Sequence, residues 1–254
     1  MLRPIVRSSC LALTALLLTC LSSNSQIPDK FTNLKVLPKD ISKQELTQIM
    51  RNFSFALGAR CEHCHLEKKA PEKGFDFATD DKEAKKTARV MLQMVEDVNR
   101  EYVGKIKKAD NAAPIRVQCV TCHHGLTEPQ PLNDVLAASL EKDGIGKTVT
   151  LYTELRSKYY GSGAYDFGET RLNLLTESLL AKQKKPEAVA IAELNFSANH
   201  PDTVWSYHLL AMAHNANGQT DKALADYRKV LELHPDDDWA KQQIDSLSKP
   251  KSAQ

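Results

Sequence analysis

Two stretches of this chain carry cysteine and histidine at a spacing suited to iron chemistry: CEHCH at Cys61–His65 and CVTCH at Cys119–His123. The CxxCH pattern is the attachment signature of c-type haem. Its two thiols form thioethers to the haem vinyl groups, and the adjoining histidine turns its imidazole onto the iron. Beyond the first twenty residues the chain has no other cysteine. Disulfide pairing of these four, the usual fate of cysteines in an oxidising compartment, leaves both histidines unexplained. A zinc site built from the two CxxC pairs does the same. The residues therefore point to two covalent c-type haems, one on Cys61, Cys64 and His65, the other on Cys119, Cys122 and His123.

The sixth position on each iron decides the function. An open position suits ligand binding or peroxide chemistry, whereas a methionine thioether suits electron transfer and raises the reduction potential. After residue 25 the methionines are Met50, Met91, Met94 and Met212, and the first three lie on the segments that precede the motifs. Met50 stands about 12 Å of helix before Gly58. A haem lying along that helix meets Met50 on one side and His65 on the other. Met91 and Met94 are three residues apart and share a helix face. Spacing alone does not choose between them.

Each motif needs a helix to position its methionine. Ser42 and Glu45 form a capping-box pattern, followed by Leu46, Ile49, Met50, Phe53 and Leu57 at helical spacing. Gly58 ends this helix, and CEHCH comes directly after it. A second helix is expected from about Asp81 to Val103, with Ala84, Ala88, Met91, Val95, Val98 and Tyr102 as its apolar face. A polar connection then leads to CVTCH. The haem region is thus a twofold repeat of helix, connection and CxxCH, closed by Pro129 and Pro131. Arg60 and Arg116, just before the motifs, are candidate partners for haem propionates. His63 and His124 lie within or beside the motifs but do not occupy the proximal position.

Beyond Pro131 the pattern changes to antiparallel helix pairs. The clearest pair is Thr203–Gly218 with Thr220–His234, and an earlier copy runs from about Thr170 to Pro201. Leu174/Leu209, Leu175/Leu210 and Ala188/Ala223 are each 35 residues apart, and Pro201/Pro235 are 34 apart. That is close to the tetratricopeptide period. Asn133–Tyr160 reads as a degenerate first unit and Asp237–Ser248 as a closing helix.

At the other end, Arg3, Arg7, the apolar run Cys10–Leu21 and the small residues Ser22–Ser25 read as a secretory signal peptide. Leu17, Leu18 and Thr19 before Cys20 resemble a lipoprotein cleavage box, which leaves open a lipid anchor at Cys20. The division is 1–25 signal peptide, 26–131 dihaem region and 132–254 helical array. The 254 residues include 42% hydrophobic and 26% charged residues with a formal charge of +2. That composition is ordinary for a soluble globular protein, and the near-neutral charge argues against a nucleic-acid partner.

The stretches VLPKDISKQELTQIMRNFSFALGARCEHCH, ARVMLQMVEDVN and VQCVTCHHG resemble the multihaem cytochrome c subunit of bacterial photosynthetic reaction centres, over about residues 33–131. The resemblance implies helix–turn–CxxCH haem units with methionine as the sixth ligand. Met50, fifteen residues before His65, matches a family spacing. In the family's MLxM motif the first methionine is the ligand, which implies Met91 for the second iron, with Met94 behind it as the alternative. Reaction-centre members carry four haem motifs and a ligating histidine where this chain has Lys105. Their subunit also lacks a tetratricopeptide-like tail.

The expectation is an exported, mainly α-helical dihaem c-type cytochrome. It is periplasmic or tethered as a lipoprotein, transfers single electrons and is not an enzyme. The helical tail makes protein contacts, and the redox partner is not named by the sequence. The alternatives are a dihaem peroxidase and a haem-dependent scaffold or sensor.

Overall fold

The computed structural model describes residues 27–107 and 112–249. The signal-peptide segment and Cys20 lie outside these residues. The chain is built of helices, with one two-residue antiparallel ladder that pairs Leu66 with Asp76 and Glu67 with Phe75.

Helix α1, Lys43–Leu57, begins at the expected capping box. Ser42 Oγ accepts from the Glu45 N–H, and the Ser42 N–H donates to the Glu45 carboxylate. Gly58 ends the helix in the left-handed region at φ 60°, a conformation that glycine adopts without a Cβ clash. The short helix α2 is Cys61–Cys64, so the first motif opens on a turn of helix. Helix α3 runs Glu83–Asp97 and continues as a π-helical turn, Val98–Tyr102, and a 3-10 turn, Val103–Lys105. The helix expected to reach Val103 therefore changes its winding on the way. Tyr102 ends up 71% exposed, because the π turn inserts a residue and rotates the side chains beyond it around the helix axis. Helix α4, Cys119–His123, is the second motif.

Seven further helices complete the described chain: α5 Leu132–Asp143, α6 Ile145–Tyr159, α7 Glu169–Ala181, α8 Lys185–Asn199, α9 Val204–Ala216, α10 Thr220–Leu233 and α11 Asp238–Ser248. They pack as sequential antiparallel pairs at the positions read from the 34–35 residue period. One core joins Leu136, Tyr152, Leu172, Leu175, Ala188 and Ile191, all buried. A second joins Ala211, Ala223, Tyr227, Val230 and Ala240. A polar network also lies inside. Asn195 Nδ2 donates to Asn173 Oδ1 at 2.8 Å, Asn173 Nδ2 donates to Ser206 Oγ at 2.8 Å, and Ser206 Oγ donates to Glu169 Oε2 at 3.1 Å. These bonds pin α7, α8 and α9 in register.

The haem region is built differently. Its buried apolar residues among those described are Leu46, Ala56 and Leu126, whereas Phe55, Val90, Met94, Tyr102, Ile106, Ile115 and Val120 are exposed. Among the described residues no helix is long and apolar enough to cross a membrane.

Candidate functional site

The first motif faces a cavity of about 230 Å³. Met50 and Phe53 of α1 line it, as do Cys61, Cys64 and His65 of the motif, Phe77 of the loop after it, and Ala88 and Leu92 of α3. The structure thus brings the expected methionine, both thiols and the expected imidazole to one space. The lead-in segment, read from sequence only as extended chain, supplies further wall through Ile27, Phe31, Leu34 and Leu37.

His65 is half-buried, with its ring edge-on to Phe77 at 4.9 Å between centroids. Burial, with the Lys85 charge added, pushes His65 down to about 4. The imidazole is therefore neutral at neutral pH, which is the form a metal binds. Its Nδ1 is buried with no hydrogen-bond partner among the described residues. A buried, unpaired polar atom is costly, and it stands at the wall of a site that suits an iron-bearing group. The Cys64 thiol is raised, chiefly by burial. These residues fit a haem: an apolar slot with two thiols, a neutral imidazole and a thioether on its walls.

The second motif is held from another direction. His123 is 8% exposed, and its Nδ1 lies 2.7 Å from the Leu126 carbonyl oxygen. A proton on Nδ1 makes that contact a donated hydrogen bond and leaves Nε2 as the metal-binding nitrogen. Asn99, in the π-helical turn after α3, reaches across to the extended chain before the motif. Its Nδ2 donates to the Val117 carbonyl and its Oδ1 accepts from the Val117 N–H, both at 2.8 Å. This clamp ties the helix that carries Met91 and Met94 to Cys119 and Cys122. Met91 is half-buried and Met94 is 44% exposed. The exposed Val90, Met94, Ile115 and Val120 lie on the segments around this motif.

Helix α3 presents one stripe to the first cavity. Lys85, Ala88, Arg89 and Leu92, at i, i+3, i+4 and i+7, line the first cavity, while Met91 and Met94 lie around the cylinder from that stripe. The stripe that lines the cavity thus includes Ala88 but leaves Met91, which the sequence reading put on the same face, to the side. His63 and His124 are both exposed. His124 sits in the left-handed region at φ 46°, and a β-carbon at Gly163, in the α6–α7 loop, would stand 3.7 Å from its Nδ1. The α6–α7 loop therefore passes close to His124, the residue after the second motif.

Sequence reasoning missed Lys35, Lys85, Arg89 and Asp80 at the first site and Asn99 at the second. Asn99 was visible only as part of the ARVMLQMVEDVN stretch. Among the described residues no three His, Cys, Asp or Glu side chains are placed to hold a metal ion. The two CxxC pairs therefore do not converge as a tetrahedral zinc site requires.

A helical chain with two CxxCH turns, each preceded by a methionine-bearing helix, has the build of a c-type cytochrome. The family model described as photosynthetic reaction centre cytochrome C subunit matches residues 18–219, and the chain belongs to that family. A tetratricopeptide repeat model matches residues 204–237. Cytochrome c-554 of Chloroflexus aurantiacus is 36% identical over 92 residues, covering 36% of this chain and 20% of that protein. The photosynthetic reaction center cytochrome c subunit of Thermochromatium tepidum is 27% identical over 125 residues, covering 46% of this chain and 28% of that protein. The matches thus span under a third of each of these relatives. Among solved structures, the second TPR domain of human RPAP3, in complex with an HSP70 peptide, aligns with 47% of this chain and 93% of its own. Its TM-score is 0.33 at 16% identity. The Arabidopsis OM64 TPR domain aligns with 46% and 91% at a TM-score of 0.32 and 20% identity.

Proposed function

We propose that this protein is an exported dihaem c-type cytochrome that transfers single electrons, with its helical array as a protein-docking tail. The observation that carries the reading is the cavity shared by Met50, Cys61, Cys64 and His65. Cys61 and Cys64 would hold one haem, with His65 and Met50 to ligate its iron, and Cys119 and Cys122 would hold the other, with His123 and Met91. Haem supplies an iron that cycles between ferric and ferrous states, and a thioether ligand favours the ferrous state.

The chain's own residues do the rest. Phe53, Phe77 and Leu92 keep water from the first site, and a low-polarity surround also favours the less charged, reduced state. The Leu126 carbonyl fixes the His123 ring. Helix α3 lines the first cavity, and its π-helical continuation is tied through Asn99 to the chain just before the second motif.

Absorption spectra with a pyridine haemochrome assay test this reading on wild type, Met50→Ala, Met91→Ala and Met94→Ala. Two haems per chain are expected, with methionine ligation lost at one haem in each of the first two variants and retained in the third. One haem per chain, or rapid cyanide binding to untreated protein, refutes it. Cell fractionation tests export, and capture experiments with and without residues 132–254 test the docking role.

A further inference from the structure

The wall of the first cavity carries more positive charge than the protein itself balances. Lys35, Lys85 and Arg89 all line it. A single carboxylate, Asp80, serves all three: Oδ2 meets Lys35 Nζ at 2.6 Å, and Oδ1 meets Arg89 Nη2 at 2.8 Å and Lys85 Nζ at 3.4 Å. Lys85 and Arg89 are only 11% and 16% exposed. Weakly hydrated cations beside an apolar space are costly unless an anion accompanies them.

Counting donors separates the roles. Lys85 Nζ also donates to the Phe77 carbonyl at 2.8 Å and the Thr79 carbonyl at 2.6 Å, so its three N–H groups are committed. Arg89 uses one nitrogen, Nη2, which donates to Asp80 and to the Asn33 carbonyl at 3.3 Å. Its Nε and Nη1 have no partner among the described residues, and Lys35 keeps two unused N–H groups. Asn33 Nδ2 braces the carboxylate, donating to Asp80 Oδ1 at 2.8 Å and to the Ala78 carbonyl. Arg60 also lines the cavity, but no ion pair among the described residues anchors it there as Asp80 anchors Arg89 and Lys35.

We propose that Arg89, through Nε and Nη1, and Lys35 bind the haem propionates at the Cys61–His65 site, and that Asp80 and Lys85 are positioning residues that hold them to the cavity. The proposal rests on the haem assignment made above. Its chemistry is that of a guanidinium fork meeting a carboxylate. The two groups with unspent donors, Arg89 and Lys35, match in number the two propionates that a haem carries. Removing one leaves a propionate unpaired near the iron, which favours the ferric state and lowers the reduction potential of that haem alone.

The test is potentiometric titration of the full-length holoprotein, with haem counted in each sample, for wild type, Arg89→Gln, Arg89→Lys and Lys35→Gln. Met50→Ala identifies the first haem in the titration. Arg89→Gln is expected to lower that haem's midpoint with the methionine-ligated spectrum kept, Arg89→Lys to recover part of the fall, and Lys35→Gln to lower it by less. The second haem is unmoved throughout. Unchanged midpoints in variants with two intact haems overturn the propionate assignment and leave the dihaem reading standing. Wild-type protein without haem on Cys61 and Cys64 overturns both. If Arg89→Gln loses the haem, the more exposed Lys35→Gln decides.

Discussion

Gly58 and Gly125 touch backbone to backbone, so that a β-carbon on Gly58 would stand 2.2 Å from the Gly125 carbonyl oxygen. One ends the helix that carries Met50, and the other lies just past the second CxxCH. Beside this contact the Gly125 N–H donates to the Ala56 carbonyl at 2.9 Å. The two CxxCH units are therefore joined where the first helix stops, and the junction leaves no room for a side chain at Gly58.

Gly58→Ala is expected to destabilise the haem region by about 2–4 kcal/mol. A residue with a β-carbon is strained at positive φ by about 1 kcal/mol, and the added methyl overpacks against backbone that cannot move aside. Thermal melting followed at the haem absorbance measures the loss, and a variant as stable as wild type refutes it.

Asn99→Ala should loosen the second site selectively. It removes both hydrogen bonds to Val117 and leaves a part-buried peptide unit unpaired, at a cost of about 1–3 kcal/mol. Spectra should show weakened methionine ligation at one haem, the one that Met91→Ala also affects, with the Met50-dependent signal retained. Equal loss at both haems would show that Asn99 acts on the whole region.

Acid should weaken the first site through Asp80. Hydrogen bonds from Arg89 and Lys35 hold this carboxyl well below its usual value in the fold. The stabilisation is thus fully present above the unfolded-state value of about 3.9 and is lost as pH falls below it towards the folded value. Asp80→Asn is expected to lower stability at pH 7 and to flatten its decline between about pH 4 and pH 2. Denaturant titrations at each pH check this, and an unchanged acid limb would assign the decline to other carboxylates.

In the array, Asn195→Ala should cost about 2 kcal/mol or more, since it leaves buried acceptors unpaired as well as a cavity. The residue is 1% exposed and donates to Asn173 Oδ1 and the Glu169 carbonyl. The denaturant midpoint should fall with the haem spectra unaltered. A coupled fall in haem binding would show that the array and the haem region fold as one.

Much was legible in the sequence where the signal is local. The cysteine–histidine spacing of the motifs, the Ser42–Glu45 cap, the stop at Gly58 and the helix pairs from Leu132 to Ser248 depend on residues a few positions apart. Caps, turns and helical periodicity are physical properties of such short stretches. The place of Met50 on the same cavity as His65 was legible for the same reason, since one helix and one turn connect them. Only the tertiary structure decided which residues enclose the sites. Asn33 and Lys35 reach Asp80 across 47 and 45 residues, Arg89 reaches Asn33 across 56, and Asn99 reaches Val117 across 18. No periodicity encodes such partners. Which stripe of α3 lines the first cavity also depends on what packs against it, and a helix read alone shows only its apolar face.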